Sequence, residues 1–455
     1  MKRKILFIAV LLIAFVCALS SCAHEHECGE WQITKEATCT TEGSEERICK
    51  CGEKETKTTP KKHSFEKDIC TQCHLINPEA TMYFEGRNDI TSVIIPDGVT
   101  FIGSSEFEGC TSLTSVVIPN SVTVIGGSAF EGCTSLTSIV IPNSVTTINN
   151  EAFKDCTSLT SIVIPDSVTN IGLDVFSGCT SLKSIDMTDS VTSIGFRAFK
   201  DCTSLTSIVI PDSLTIIDYK VFEGCTSLTN VVIPNSVTTI DGDAFKGCTS
   251  LTSIVIPDSV TSIGVGAFSG CTSLTNVVIP NGVTTIKNST FSGCTSLTSI
   301  VIPDSVTSIE GCAFYGCTSL TTIDIPNSVT YLGQAAFEKC SALKLARIGA
   351  KKIDESAFAE CRQLEEVIFT DSVNIIEKQA FENCVRLFMI YLGKGLTDIG
   401  NYAFRNCKDL TCIYYSGTTK ELDYIINYDL NGTVVCEITQ PVYDLQQRYD
   451  TFYKE

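Results

Sequence analysis

Hydrophobic residues recur with a fixed period along most of the chain. Residues 248–264 read CTSLTSIVIPDSVTSIG, and VGAFSG follows before the next cysteine starts the same pattern again. Polar and apolar residues alternate around Ile254 and Ile256, which predicts a β-strand with both isoleucines on one face. Pro257 cannot donate a hydrogen bond to a sheet, so the strand ends there. The alternation resumes before Ile263, which predicts a second, shorter strand in every unit.

A cysteine marks the phase of the repeat, and a phenylalanine lies three residues before each of fourteen such cysteines. The spacing is 23 residues, except for one shortened unit that ends at Cys361. Neighbouring strands lie ~4.8 Å apart, which is farther than the Cβ–Cβ distance of an unstrained disulfide. The pattern therefore predicts buried thiols that fill the core as small apolar groups. The cysteines are Cys110, Cys133, Cys156, Cys179, Cys202, Cys225, Cys248, Cys271, Cys294, Cys317, Cys340, Cys361, Cys384 and Cys407.

The repeated form F-x-x-C-x-x-L-x-x-I-x-I-P-x-x-V-x-x-I resembles the leucine-rich repeats of BspA-type bacterial surface antigens. A period of 20–29 residues with L-x-x-L-x-L spacing is typical of leucine-rich repeats in general. We therefore expect a mainly β repeat solenoid of 23-residue leucine-rich repeats with a parallel sheet, over residues 79–412. A closing unit and tail are expected over residues 413–455. The solenoid follows a small Cys/His-rich module and linker over residues 22–78.

The first residues have the pattern of an export signal. Residues 2–4 are basic, and the uncharged apolar stretch at 5–19 is too short to span a membrane comfortably as a helix. The string LSSC, which ends at Cys22, resembles the lipobox of bacterial lipoproteins, in which the cysteine is acylated. The resemblance implies a lipoprotein signal peptide over residues 1–21 and lipidation at Cys22. An ordinary secretory signal with an incidental cysteine is the alternative.

Residues 24–78 hold six cysteines and all four histidines of the chain, with few apolar residues. Such a segment cannot build a sufficient core, so it needs disulfides, a metal ion or both. Cys70-Thr-Gln-Cys73 has zinc-knuckle spacing, whereas Cys49-Lys-Cys51 is one residue short of it. Zinc and disulfides both stay open as interpretations. The candidate zinc ligands are Cys49, Cys51, Cys70, Cys73, His63 and His74.

Composition excludes several classes of function. No histidine follows His74, so the repeats contain no imidazole for acid–base, triad or zinc chemistry. Residues 79–455 carry the whole formal net charge of −19, and an acidic surface repels the phosphates of nucleic acids. No nucleophile–base pair or phosphate-binding loop stands out among the repeats. We therefore expect a protein that is not an enzyme and that binds no nucleic acid.

One residue of each first strand lies between the two inward positions and is expected to face outward. It is valine in most units, which predicts a long exposed apolar strip, larger than the patches usual on monomers. β-Branched residues also favour exposed strands without any binding role, so that explanation stays open. Tyr415 is a further candidate near the end of the strip. The candidate partner-binding residues on the strip are Val163, Asp186, Val209, Asp324, Arg347, Tyr391 and Tyr414.

Comparison of the repeats with each other shows where the sequence varies. Residues 225–270 and 271–316 match at 36 of 46 positions, and nine of the ten differences fall between the second-strand isoleucine and the next cysteine. The strands are held constant by core packing, whereas this edge of the solenoid tolerates change because solvent can accept it. The near-identity of the two blocks makes the middle of the solenoid almost translation-symmetric.

The BspA resemblance implies an adhesin-like, cell-surface binding protein. Its expected partners are extracellular macromolecules of the host or of neighbouring cells, such as matrix or plasma glycoproteins, and it is expected to be lipid-anchored at the bacterial cell surface or outer membrane. The alternative is a structural spacer of the cell envelope without a distributed binding face. A repetitive protein or glycan could use the central strip multivalently, whereas a partner recognised once would use the residues near the C-terminal end.

Replacement of Cys22 tests the lipid anchor. We expect Cys22→Ala to move the protein from the membrane fraction into the soluble fraction, because no acyl chain can then be attached there. The measurement is immunoblotting of membrane and soluble fractions, with Cys17→Ala as a control that leaves the LSSC string intact. Unchanged membrane retention of the Cys22 variant would refute anchoring through this residue.

Overall fold

The computed structural model describes residues 29–38, 41–48, 54–61, 65–66, 69–70, 72–76, 84–417 and 434–437. The chain divides into two compact units, residues 1–73 and 74–455. All regular elements in the described ranges are β-strands, β1 to β33.

The N-terminal unit contains a three-stranded antiparallel sheet that is held by charged side chains. Its strands are β1 (Gln32–Lys35), β2 (Gly43–Ile48) and β3 (Lys54–Thr59), followed by a short hairpin of β4 (Phe65–Glu66) and β5 (Ile69–Cys70). The cations of Arg47 and Lys57 lie 4.6 and 4.3 Å from the ring centroid of Trp31. Arg47 also pairs with Glu55 across β2 and β3. Cation–π and ionic contacts therefore stabilise a sheet that has little apolar material to bury.

In the second unit, each repeat forms one turn of the solenoid, which we call a rung. The first strands of successive rungs pair in parallel and in register, so that equivalent residues lie side by side. This confirms the predicted parallel sheet. Leu75 bridges to Ile94, so the pairing already begins before the first complete strand. The strands are β6 (Ser92–Ile94), β8 (Ser115–Val117), β11 (Ser161–Val163), β13 (Ser184–Asp186), β15 (Ser207–Val209), β17 (Asn230–Val232), β19 (Ser253–Ile254), β21 (Asn276–Val277), β24 (Thr322–Ile325), β26 (Leu345–Ile348), β28 (Glu366–Phe369), β30 (Met389–Leu392), β32 (Cys412–Tyr415) and β33 (Val434–Glu437).

A second row of two-residue strands lies after the turns that end the first strands, as the sequence predicts. These strands also pair in parallel with the equivalent strands of the neighbouring rungs. They are β7 (Phe101–Ile102), β9 (Val124–Ile125), β10 (Thr147–Ile148), β12 (Asn170–Ile171), β14 (Ser193–Ile194), β16 (Ile216–Ile217), β18 (Thr239–Ile240), β20 (Ser262–Ile263), β22 (Thr285–Ile286), β23 (Ser308–Ile309), β25 (Tyr331–Leu332), β27 (Lys352–Ile353), β29 (Ile375–Ile376) and β31 (Asp398–Ile399).

The core consists of rows of identical side chains that run from rung to rung. Leu251, Ile254, Ile263 and their equivalents are buried between the two rows of strands. The phenylalanines form one continuous stack from Phe84 to Phe404, with neighbouring ring centroids 4.8 to 5.7 Å apart and ring planes within 18° of parallel. Aromatic pairs contribute ~0.5–1.5 kcal/mol beyond the area that they bury. Each rung therefore completes its core only against its neighbours.

The cysteines of the repeat lie in this core as thiols, as predicted, and they also donate hydrogen bonds. The Sγ atom of Cys133 donates to the carbonyl oxygen of Phe107, in the preceding rung, over 3.0 Å, and Cys248 donates likewise to Phe222 over 3.2 Å. Burial raises the pKa of Cys133 to about 12. The thiol therefore stays protonated and joins neighbouring rungs, a role beyond the predicted apolar filling.

The threonine and serine hydroxyls of the repeat also link the rungs. Thr249 Oγ1 donates to the carbonyl oxygen of Thr226 over 3.3 Å, and Thr275 Oγ1 donates to that of Thr252 over 3.1 Å. Ser259, in the proline turn, donates to the Val237 carbonyl oxygen over 2.7 Å. These hydroxyls therefore satisfy backbone acceptors of the neighbouring rung.

Two neighbouring residues of one strand provide a matched test of this architecture. Ile254 is 5% exposed, whereas Val255 is 79% exposed. We expect Ile254→Lys to lower the free energy of unfolding by at least about 3 kcal/mol, because it buries an uncompensated charge. Val255→Lys should change it by no more than about 0.5 kcal/mol, because its side chain lies in solvent.

Equilibrium urea unfolding, followed by circular dichroism, measures both effects. Equal losses of stability in the two variants would contradict the inward and outward assignment of these positions. A loss confined to Val255→Lys would reverse the assignment.

Candidate functional site

The candidate site is the outer face of the first row of strands. Its central part is the valine row, whose eight valines have exposed fractions of 51 to 79%. Their burial alternates with that of the buried isoleucine on either side, because successive side chains of a strand point to opposite faces. The predicted outward orientation is therefore confirmed. The members are Val117, Val140, Val163, Val209, Val232, Val255, Val278 and Val301.

Small polar residues flank the valine row on one side. Two positions before each valine lies an exposed serine or asparagine, such as Ser161, Ser207 or Asn230. Asp186 takes the place of a valine in β13, is exposed, and lies directly opposite Val163 of β11. The face thus combines the methyl groups of the eight valines with hydroxyl and amide groups, and one rung carries the Asp186 carboxylate in place of a valine.

The valine row passes into a chemically different segment, the C-terminal strip, formed by Asp324, Arg347, Ile368, Tyr391 and Tyr414. These residues occupy equivalent, paired positions on β24, β26, β28, β30 and β32. The guanidinium of Arg347 lies 2.9 Å from the Asp324 carboxylate, and the rings of Tyr391 and Tyr414 stack with centroids 4.8 Å apart. The side chains are half-buried because they pack on each other.

The predicted partner-binding residues all lie on the outer face of the first strands, except Tyr415. Tyr415 is only 6% exposed, because it occupies an inward position of β32. The expectation that Tyr415 presents an aromatic group to a partner is therefore wrong. The two-residue period of the strand could have revealed this, since Tyr415 falls where other rungs have a core isoleucine.

Sequence reasoning missed a second group of exposed apolar side chains. Leu173, Phe196 and Tyr219 are 39 to 46% exposed and lie beyond the second strands, on the variable edge of the solenoid. The signal was present in the sequence, because the equivalent positions of most other rungs are polar or glycine.

The candidate zinc ligands are only partly described. Cys70 ends β5, and Cys73 and His74 follow it, on either side of the division between the two units. Cys49, Cys51 and His63 lie outside the described residues, as does Cys22 with the whole signal sequence. Within the described ranges, no group of three or more His, Cys, Asp or Glu side chains is arranged to hold a metal ion. Zinc therefore stays a prediction.

No helix within the described ranges has the length and apolar character needed to cross a bilayer.

Comparisons with solved structures find similarity to leucine-rich repeat proteins of bacteria. A leucine-rich repeat protein from Bacteroides ovatus is 27% identical, with 83% of this chain and 98% of that chain covered and a TM-score of 0.61. A leucine-rich cell surface protein from Faecalibacterium prausnitzii is 28% identical, with 82% and 99% covered and a TM-score of 0.46. A leucine-rich repeat protein of T. pallidum is 32% identical over 47% of this chain and 91% of its own, with a TM-score of 0.35. No curated protein matches the chain.

The family assignment rests on the repeats themselves. The sequence model of the BspA type leucine rich repeat region matches the chain in overlapping segments from residue 80 to residue 442. This span contains both rows of strands, the phenylalanine stack and the repeat cysteines. The chain belongs to the BspA-type leucine-rich repeat family.

Proposed function

We propose that the chain is an exported cell-surface binding protein, adhesin-like in its action, that uses the outer face of the first strands as a distributed binding face. The observation that carries the proposal is the valine row, which holds an apolar side chain in solvent at eight rungs. Strand propensity alone would accept the β-branched threonine at these positions as well as valine, so it does not by itself call for apolar side chains over so many rungs.

The chemistry of the valine row suits a long and repetitive partner. Burial of one partly exposed valine contributes on the order of 1 kcal/mol or less, which is too little for specific binding at one rung. Equivalent rungs lie ~4.8 Å apart, so that an extended polypeptide or glycan with repeated apolar and hydrogen-bonding groups can contact many of them at once. Many weak contacts along one molecule raise the total affinity through multivalency. Matrix or plasma glycoproteins are the partners that we propose for this mode of binding.

The export signal and the LSSC string support a location at the cell surface. Acylation at Cys22 would attach the protein to a membrane and leave the repeats free to meet macromolecules outside the cell. Residues 79–455, which carry the net charge of −19, favour partners that are not polyanions.

A second binding mode uses the C-terminal strip. The Asp324–Arg347 pair and the Tyr391–Tyr414 stack occur once in the solenoid, so they could define a single site, and aromatic and arginine side chains dominate binding hot spots. The remaining alternative is a spacer of the cell envelope, in which the rungs give reach and make no contacts of their own.

Removal of whole rungs separates these possibilities. Residues 225–270 and 271–316 form two similar blocks of two rungs each, so deletion of one or both rejoins the chain in register. We expect the affinity for matrix and plasma glycoproteins immobilised on an array to fall with each deletion, because fewer valines contact the partner. Surface plasmon resonance on deletion variants with identical ends measures this dependence.

The control keeps the rung number and removes only the apolar groups. Val232→Ser with Val255→Ser and Val278→Ser should weaken binding in the same direction as a deletion. Affinity that is independent of rung number and abolished by Tyr391→Ala with Tyr414→Ala would transfer the site to the C-terminal strip. Affinity that none of these changes alters would favour the spacer.

A further inference from the structure

The variable edge of the solenoid carries an exposed apolar surface of its own. Leu173, Phe196, Tyr219 and Val265 occupy the second position after the second-strand isoleucine in their rungs, and Gly242 occupies this position between the last two. We call these residues the apolar shelf. The four side chains are 39 to 50% exposed.

The backbone holds the residues of the shelf side by side. The amide of Asp174 donates to the carbonyl oxygen of Phe196 over 2.9 Å, and that of Arg197 donates to Tyr219 over 3.1 Å. In the same way, the amide of Lys220 donates to the carbonyl oxygen of Gly242 over 3.1 Å, and that of Asp243 donates to the carbonyl oxygen of Val265 over 2.8 Å. The shelf is therefore continuous across five rungs, or about 19 Å at the strand spacing.

The side chains are fitted to each other. The rings of Phe196 and Tyr219 contact edge to face, with centroids 6.4 Å apart and planes at 84°. A Cβ atom at Gly242 would lie 3.3 Å from the ring of Tyr219, so the absence of a side chain there gives the ring room to lie over the backbone. This packing keeps both rings at the surface in a fixed arrangement.

The fold does not require apolar residues at these positions. The equivalent residues are Ser104, Gly127 and Asn150 before the shelf and Asn288, Gly311 and Gln334 after it. Exposure to solvent explains why polar residues and glycine occupy these positions. It does not explain exposed leucine, phenylalanine and tyrosine in neighbouring rungs. The shelf thus breaks the translational symmetry in the middle of the solenoid.

The charges beside the shelf leave an excess of carboxylates. Arg197 lies 2.8 Å from the Asp174 carboxylate, and Lys220 lies 3.3 Å from Glu223 and 5.2 Å from the centroid of the Tyr219 ring, so both cations already have an anionic partner within the protein. Asp218 and Asp241 accept hydrogen bonds from the amides of Tyr219 and Gly242, and no described cation forms an ion pair with either of them. Around the two rings, the carboxylates therefore outnumber the cations.

We propose that the apolar shelf, with its rim of Asp218 and Asp241, docks a basic, amphipathic peptide segment of a partner protein. Apolar side chains of the peptide would cover Leu173 and the two rings, and its lysine or arginine residues would meet the two carboxylates. An anionic membrane surface fits poorly, because the rim would repel it. A glycan also fits less well, because the perpendicular rings do not form the flat platform on which a sugar stacks.

Selection from a library of random displayed peptides tests the proposal with the full-length chain. Peptides of about eight residues are long enough, because an extended chain advances about 3.3 Å per residue. We expect the enriched sequences to combine apolar with lysine or arginine residues. The affinity of the enriched peptides, measured by fluorescence anisotropy, should fall about tenfold or more in Phe196→Asn with Tyr219→Asn. Asp218→Asn with Asp241→Asn should lower it about threefold and weaken its salt dependence.

The controls come from the chain itself. Asparagine already occupies the shelf position at Asn150 and Asn288, so the double asparagine variant should fold, and its circular dichroism spectrum should be unchanged. Val278→Asn, on the valine row, should leave the peptide affinity unaltered. No enrichment, enrichment of acidic sequences, or affinity unchanged in Phe196→Asn with Tyr219→Asn would overturn the proposal. So would glycan binding on an array that this double variant abolishes, which would assign the shelf to a carbohydrate.

Discussion

The structure depends on the coupling between each rung and the next. A rung of 23 residues is too short to bury its own apolar face, and its backbone groups find their partners in the neighbouring rungs. The backbone carbonyl of Phe107 is an example. Its oxygen accepts a hydrogen bond from the amide of Cys110 in its own rung and another from the thiol of Cys133 in the next rung. Because every rung repeats this contact, the period can change only where the core rows can still align, as at the shortened unit before Cys361.

This coupling explains which features the sequence predicts well. Ile254, Pro257 and Ile263 determine two strands and the turn between them through local preferences, and the structure has both strands. The inward and outward faces follow from the two-residue period, which places Val255 in solvent. The family resemblance rests on the same residues, so fold and family agree.

Features that depend on neighbouring rungs were not predictable from a single unit. The thiol of Cys133 reads as an apolar filler until the carbonyl of Phe107 is placed beside it. Asp174 and Arg197 adopt positive φ angles of 51 and 56°, which disfavour residues other than glycine. Their amides are thereby directed to the next rung, and this hydrogen bond offsets the strain. Phe196 and Tyr219 belong to neighbouring rungs, so the contact between their rings likewise cannot be predicted from either unit alone.

The same coupling divides the surface into two kinds of binding face. Where the rungs are nearly identical, as along the valine row, a contact made at one rung is repeated at the next, and affinity grows with length. Where the edge residues differ, as at Phe196 and Tyr219 or at Tyr391 and Tyr414, a partner finds one site. Most of the variation lies outside the core rows, with the buried exchange of Ala244 for Thr290 as an exception, so a new site can arise without loss of the fold.

The cysteines allow the central claim, that each rung is stabilised by its neighbours, to be measured rung by rung. Alkylation of the native protein in increasing urea, mapped by mass spectrometry, reports the exposure of each thiol separately. Because the terminal rungs have a neighbouring rung on one side only, unfolding should start there, and the thiols near the two ends, such as Cys110 and Cys384, should react at lower urea than Cys225 and Cys248. Reaction of the central thiols before those at both ends would contradict this account.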